Sequence, residues 1–249
     1  ILFTLGAYAT VSLKNSLGFW PALVISPILV GALGMLIEVG FLRRLYRADP
    51  SAGLLLTFGL AMVLEQLVRI IWGTSGLPYN IPEALTGALP LGAFVYPKYR
   101  HFILLCAIAI IAGLWLFLEK TPYGMIIRAG SRDGEMVRIL GINLRPIFTF
   151  VFGLGSALAA IAGVLMAPVA GVQPAMGTDV GTAAFVVVTI GGLGSFWGVV
   201  IAGLLVGEVV SLSILFWPPI AQASMYILMA VVLLTRPRGL LGERWEKFE

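Results

Sequence analysis

Glu65 and Arg69 stand four residues apart inside an otherwise apolar run, a spacing that sets a carboxylate and a guanidinium on one helix face. A charge within a membrane-length run costs about 2.5–3.5 kcal/mol or more, and a partner on the same face offsets much of it. This pair therefore reads as a structural ion pair ahead of a substrate contact. Glu38 lies five residues before Arg43, at the end of a second run. Glu208 sits in a third run with no basic residue near it, so among the three carboxylates it is the one to test first for a place on a polar path between helices. Thr57, Gln66, Thr182 and Thr189 are neutral polar candidates for the same path, although a backbone carbonyl or a neighbouring helix can satisfy each of them. Gly191, Gly192 and Gly194 join them, because a glycine-rich break in a helix can offer free N–H and C=O groups to a polar solute. The plain alternative, slightly favoured, is a tight connection between two helices.

None of these residues forms a catalytic set. His101 is the single histidine, and a metal site needs several convergent ligands, so no metal is expected. Cys106 is the single cysteine, which excludes an intrachain disulfide and a thiolate cluster. There is no G-x-x-x-x-G-K-[ST] phosphate loop, so any ATP hydrolysis belongs to another chain. The glycines at 153–155 and 191–194 lack the remainder of a dinucleotide fingerprint and its strand context. No nucleophile elbow, catalytic carboxylate pair or metalloprotease helix is present, so the chain reads as non-catalytic and without a cofactor.

The elements that must position these residues are long apolar helices. Hydrophobic residues make up 59% of the chain and charged residues 11%, where a soluble domain carries about 25% charged. Apolar runs extend over 1–13, 20–42, 52–72, 101–118, 147–167, 196–217 and 220–235, with a shorter one at 180–191; a crossing takes about 20 residues. Pro21 opens the second run, and Pro27 within it predicts a kink. The stretch 73–100 carries turn signals and few charges, and reads as a loop with room for a short interfacial helix. Ile1 is not a methionine and is already apolar, so the chain reads as a fragment lacking its first helix or helices. Gly155, Ala159 and Gly163 recur every fourth residue, a spacing that admits a close neighbouring helix; packing within the subunit is the favoured reading over a subunit interface or pore lining.

Net charge is +4, but the basic residues cluster at the ends of apolar runs and serve as topology signals, not as a nucleic-acid surface. Segments 43–50, 120–146 and 236–249 hold twelve of the sixteen lysines and arginines. Alternating crossings put all three on one side if 180–191 counts as a crossing, and the positive-inside rule makes that side cytoplasmic.

Segment 120–146 is the one long charged piece between helices. Ser131 or Asp133 can cap a short helix in which Met136, Val137 and Leu140 share an apolar face. Gly141 stands where a C′ glycine would end it. Such a helix, held between two spans, either docks a cytoplasmic partner or rests on lipid.

The run Ile127 to Asn143 resembles the coupling loop of permease subunits from the branched-chain amino acid ABC importers, whose relatives carry urea or short amides. The resemblance continues in 148–165, in Thr189 to Gly198, in Gly6 to Tyr8, in Glu38 ahead of 43–47 and in Leu56 to Leu60, and so covers essentially the whole chain. Gly134 departs from the better helix former expected there. The resemblance implies a second, homologous or identical permease subunit, two cytoplasmic ATPase subunits that bind the ATP, an extracytoplasmic substrate-binding protein, and a multi-pass location in lipid of a bacterial inner membrane. Arg128, Ser131, Asp133, Glu135, Met136, Arg138, Leu140 and Gly141 would then couple to the ATPase.

The expectation is an all-α polytopic transmembrane bundle of about seven or eight helices, one of them short or broken, forming a single permease domain over 1–249 with a coupling segment at 120–146. Its function would be to form the path for branched-chain or other hydrophobic amino acids, or for urea and short amides. The alternative is a stand-alone secondary transporter or channel.

Overall fold

The computed structural model describes residues 1–45, 50–91 and 94–242. Arg47 and the C-terminal residues 243–249, counted in the charge tally above, lie outside them.

The chain forms a helical bundle. Its helices are α1 (Leu2–Leu17), α2 (Phe19–Ile37), α3 (Arg43–Leu45), α4 (Pro50–Trp72), α5 (Lys98–Lys120), α6 (Pro122–Arg132), α7 (Gly134–Ile139), α8 (Leu144–Ala170), α9 (Met176–Gly191), α10 (Phe196–Phe216) and α11 (Ala221–Thr235). A π-helical segment, Glu38–Leu42, joins α2 to α3. Six helical stretches among the described residues are long and apolar enough to cross a membrane, and α9 is a shorter apolar helix. At 16 residues, α9 is about 24 Å long.

Several boundaries differ from the sequence reading for local reasons. α1 runs through Lys14 to Leu17 and stops at Gly18, whose φ of 84° only glycine adopts easily. Pro27 does not interrupt α2. Segment 73–100 holds an antiparallel hairpin, β1 (Ala88–Leu91) with β2 (Phe94–Pro97), and one 3-10 turn at Glu83–Leu85. Each strand is four residues long, so the hairpin leaves the helical class of the whole undisturbed.

Two compact units divide the chain, Ile1–Gly177 and Thr178–Glu249. In the first, α1, α2 and α8 pack closely because small residues face one another. A Cβ on Gly6 would stand 2.5 Å from Ala160 Cα, and one on Gly163 would collide with the Phe3 carbonyl oxygen. Gly31 and Gly34 meet Ala157 and Ser156 in the same way. The small-residue face is thus the one through Gly153, Ser156, Ala160 and Gly163. Gly155 faces open space, so of the stripe read as 155, 159 and 163 the first member stands off the contact and the last lies in it. An aromatic core of Tyr8, Phe19, Tyr79 and Tyr99 with Val68 and Val172 lies at one end of the unit. There the Leu77–Val172 bridge ties the loop after α4 to the loop after α8.

In the second unit, Val186 and Ile190 of α9 pack with Ala202 and Val206 of α10, against Met225, Leu228 and Met229 of α11. The chain returns on itself here: Leu240 and Leu241 donate to the carbonyls of Ile190 and Gly191 at 2.8 and 3.2 Å.

Candidate functional site: a two-helix coupling segment and the polar groups of the bundle

Between the spans α5 and α8, segment 120–146 is built of two short helices instead of the single one expected. Thr121 caps the first, accepting from Gly124 N–H at 3.1 Å, with Pro122 in the N1 position where its missing N–H costs nothing. α6 then carries Arg128 and Ser131. Arg128 pairs with Glu119 at the end of α5, and Ser131 Oγ donates to the Arg128 carbonyl at 2.9 Å. Ser131 is therefore the last turn of α6, not the cap of the next helix.

Asp133 is that cap. Its Oδ1 accepts from Glu135 N–H at 3.1 Å and from Met136 N–H at 2.9 Å, which satisfies two of the orphan donors at a helix start. α7 ends as the sequence indicated. Gly141 has φ of 81°, its N–H donates to the Arg138 carbonyl at 2.9 Å, and Ile142 N–H donates to the Val137 carbonyl at 3.3 Å. This is the paired closure of a Schellman end.

Gly134, out of place by propensity, has a packing reason. Leu144, the buried first residue of α8, lies against both short helices: a Cβ on Gly130 would stand 2.9 Å from its Cδ2, and one on Gly134 3.4 Å from its Cδ1. Leu144 thus pins α6 and α7 to the start of a span.

The pinning also fixes which face of α7 is free. Val137 is 5% exposed, whereas Met136, Ile139 and Leu140 are 54, 74 and 71% exposed. The expected apolar face of Met136, Val137 and Leu140 is thus split: Val137 turns inward, and Ile139 joins the outward pair. Periodicity finds an apolar stripe but does not say which edge of it a neighbour covers. Asp133, Glu135 and Arg138 flank the outward group and are exposed.

Next to this segment, in the second turn of α8, Thr149 meets the end of α2. Glu38 is fully buried. It accepts from Thr149 Oγ1 at 2.6 Å and pairs with Arg43 at 3.1 Å, while Arg43 Nη2 donates to Thr149 Oγ1 at 2.6 Å. The π-helical segment explains the pairing. An α-helix places residues five apart on different faces, but i→i+5 closure brings them over one another, and Arg43 N–H bonds the Glu38 carbonyl. The sequence showed Glu38 and Arg43 as separate charges at a run's end; the five-residue spacing was the available signal.

Glu65 and Arg69 pair at 2.6 Å, as their spacing predicted. Thr57, Thr182 and Thr189 each donate to a carbonyl four residues back, at 3.0, 2.9 and 2.8 Å. Gln66 lies on an exposed face of α4. Glu208 stands exposed in the middle of α10, beside the exposed Leu204, Leu205, Leu212 and Leu215. Gly191, Gly192 and Gly194 form the tight connection from α9 to α10, with φ of 94° at Gly192 and 87° at Gly194 and Ser195 capping α10 through Gly198 N–H at 3.1 Å. At the other end of the first unit, Lys14 Nζ donates to the Asn80 carbonyl at 3.1 Å and sits 4.2 Å from the centre of the Tyr79 ring. Burial pushes the Tyr79 hydroxyl up to about 12. Among the described residues no group of three His, Cys, Asp or Glu is placed to hold a metal.

Comparison with known proteins places this architecture. The profile of a family described as "Branched-chain amino acid transport system / permease component" matches residues 1–235. The high-affinity branched-chain amino acid transport system permease protein BraD of Pseudomonas aeruginosa is 30% identical over 226 residues, spanning 89% of this chain and 74% of BraD. LivH of Escherichia coli (strain K12), a permease protein of the same kind of system, is 29% identical over 90% of this chain and 73% of its own. LivM of the same strain is 28% identical over 96% of this chain and 61% of its own. No solved structure matches. With its membrane-length helices and a match along nearly its whole length, the chain is a multi-pass membrane protein belonging to the family of branched-chain amino acid transport permease components.

Proposed function

We propose that this chain is one of a pair of permease subunits in an ATP-driven importer of a bacterial inner membrane. The pair forms the path for branched-chain or other hydrophobic amino acids, with urea or short amides as the alternative cargo. Two cytoplasmic ATPase subunits bind and hydrolyse the ATP, an extracytoplasmic binding protein delivers substrate, and this chain contributes no catalytic group of its own.

The observation that carries this reading is the outward face of α7. Met136, Ile139 and Leu140 are exposed side by side on a helix fixed at both ends, ringed by Asp133, Glu135 and Arg138. A rigid apolar knob with a charged rim suits a groove on a protein partner, and its attachment to α8 through Leu144 gives movement of that partner a route into a span. The occurrence of two permeases of this family, LivH and LivM, in one Escherichia coli strain supports pairing with a homologous subunit. Glu208 adds support: a carboxylate exposed in mid-span on this chain needs a polar surface from a second subunit or a wet path.

The test is to purify the permease with its bound subunits and assay the preparation for ATPase activity. Uptake of leucine, isoleucine, valine and urea into liposomes is then measured with and without ATP and binding protein. Uptake that needs ATP supports the importer; full uptake by this chain alone on an ion gradient would make it a secondary transporter.

A further inference from the structure

Glu38 is fully buried, and groups from two separate helices hold its carboxylate. Arg43, just past the π-helical segment, donates to it through Nε at 3.4 Å and through Nη2 at 3.1 Å. Thr149 of α8 donates to it through Oγ1 at 2.6 Å, and Arg43 Nη2 reaches the same hydroxyl at 2.6 Å. The three side chains therefore close a triangle across α2 and α8. A buried ion pair adds little net stability over an apolar filling of the same volume, and its best-attested use is to set a register or a switch.

The position of Thr149 points to such a use. α8 begins at Leu144, the residue that α6 and α7 pack against through Gly130 and Gly134. Thr149 follows five residues later in the same unbroken helix, about 7.5 Å along its axis. A displacement of the coupling segment that moves Leu144 thus carries the Thr149 hydroxyl with it.

The receiving end is built to yield. Arg43 N–H bonds the Glu38 carbonyl in i→i+5 closure, an arrangement that occurs mostly as single turns within α-helices and frequently at functional sites. Glu38 is the one buried residue of the segment Glu38–Leu42. Val39 and Phe41 are 46 and 50% exposed, and a Cβ on Gly40 would meet nothing within 4 Å. Packing of the other four residues therefore does little to fix the register, which the triangle holds. A change to α-helical closure would pass the Arg43 N–H from the Glu38 carbonyl to that of Val39 and turn the guanidinium off the carboxylate.

We infer that Thr149, Glu38 and Arg43 are positioning residues for transport. They form a joint that passes displacement of the coupling segment into α2 by switching 38–42 between π and α closure. This rests on the reading of the chain as an ATP-driven importer and names a route by which movement of the ATPase enters the bundle.

The test uses the purified assembly with its ATPase subunits and binding protein in liposomes, with tritiated leucine, isoleucine, valine and urea as cargo. Thr149→Val is expected to lower cargo moved per ATP hydrolysed roughly tenfold, and Thr149→Ser, which keeps the hydroxyl, to restore it. Tyr99→Phe is the control for lost stability: it removes a buried hydrogen bond, from Tyr99 Oη to the Leu165 carbonyl at 2.9 Å, near the other end of α8. Its melting temperature is expected to fall while cargo per ATP holds. Amide exchange gives the second readout. ATP is expected to change exchange over 39–43 and over α7 in the wild type, and over α7 alone in Thr149→Val. The joint is overturned if Thr149→Val keeps the wild-type ratio, if Tyr99→Phe lowers that ratio as far, or if ATP leaves exchange over 39–43 of the wild type unchanged. A wild-type assembly that moves none of the four compounds on ATP would instead refute the importer reading, and the joint with it.

Discussion

Thr149 Oγ1 donates to Glu38 Oε2 at 2.6 Å and accepts from Arg43 Nη2 at the same distance, joining the π-helical end of α2 to the second turn of α8. The same hydroxyl lies 3.0 Å from the Arg145 carbonyl, but its one proton goes to the carboxylate, the shorter and charge-assisted bond. Glu38→Gln leaves Arg43 without its counter-charge. Removing one partner of a buried pair costs about 3–5 kcal/mol, and the low end applies because Arg43 is partly exposed. Thermal unfolding in detergent should register this loss, and Thr149→Val should lose less, since it removes one hydrogen bond and leaves the ion pair.

The outward face of α7 makes a prediction about coupling. The double change Glu135→Ala with Arg138→Ala is expected to lower substrate moved per ATP hydrolysed roughly tenfold, equivalent to about 1.4 kcal/mol, with membrane insertion unchanged. Wild-type stoichiometry in liposomes would remove the docking role.

Asp133→Ala attacks the same helix through its start. Losing the cap bonds to Glu135 and Met136 costs about 1 kcal/mol, enough to fray a six-residue helix. Faster amide exchange over 134–139, with none over α8, is the expected signature.

Glycines on α8 should separate sharply by face. Gly163→Ala collides with the Phe3 carbonyl and is expected to destabilise by about 1–3 kcal/mol. Gly155→Ala meets nothing within 4 Å, and should be neutral or stabilise by up to about 1 kcal/mol through helix propensity. Melting temperatures of the two variants decide the point.

Glu208 yields a prediction specific to assembly. Glu208→Gln is expected to cut uptake roughly tenfold without changing the unfolding of the isolated chain, because the side chain is exposed there. Unchanged uptake would place Glu208 away from the path.

Much of this protein was legible in its sequence. Run length and the scarcity of charge specified spanning helices, because a bilayer admits little else. The four-residue spacing of Glu65 and Arg69 specified their pairing, and Gly141 marked the end of α7, because these are local events within one helix. Tertiary structure decided the rest. Met136, Val137 and Leu140 were one stripe until packing buried Val137 and left Ile139 exposed with the other two. Gly155 and Gly163 were equivalent until α1 and α2 chose a face. Thr4 and Tyr8 were ordinary helix residues until burial removed their hydroxyls from solvent without giving them a hydrogen-bond partner among the described residues. In each case the sequence set the chemistry a residue carries, and only contacts between distant segments decided what that chemistry meets.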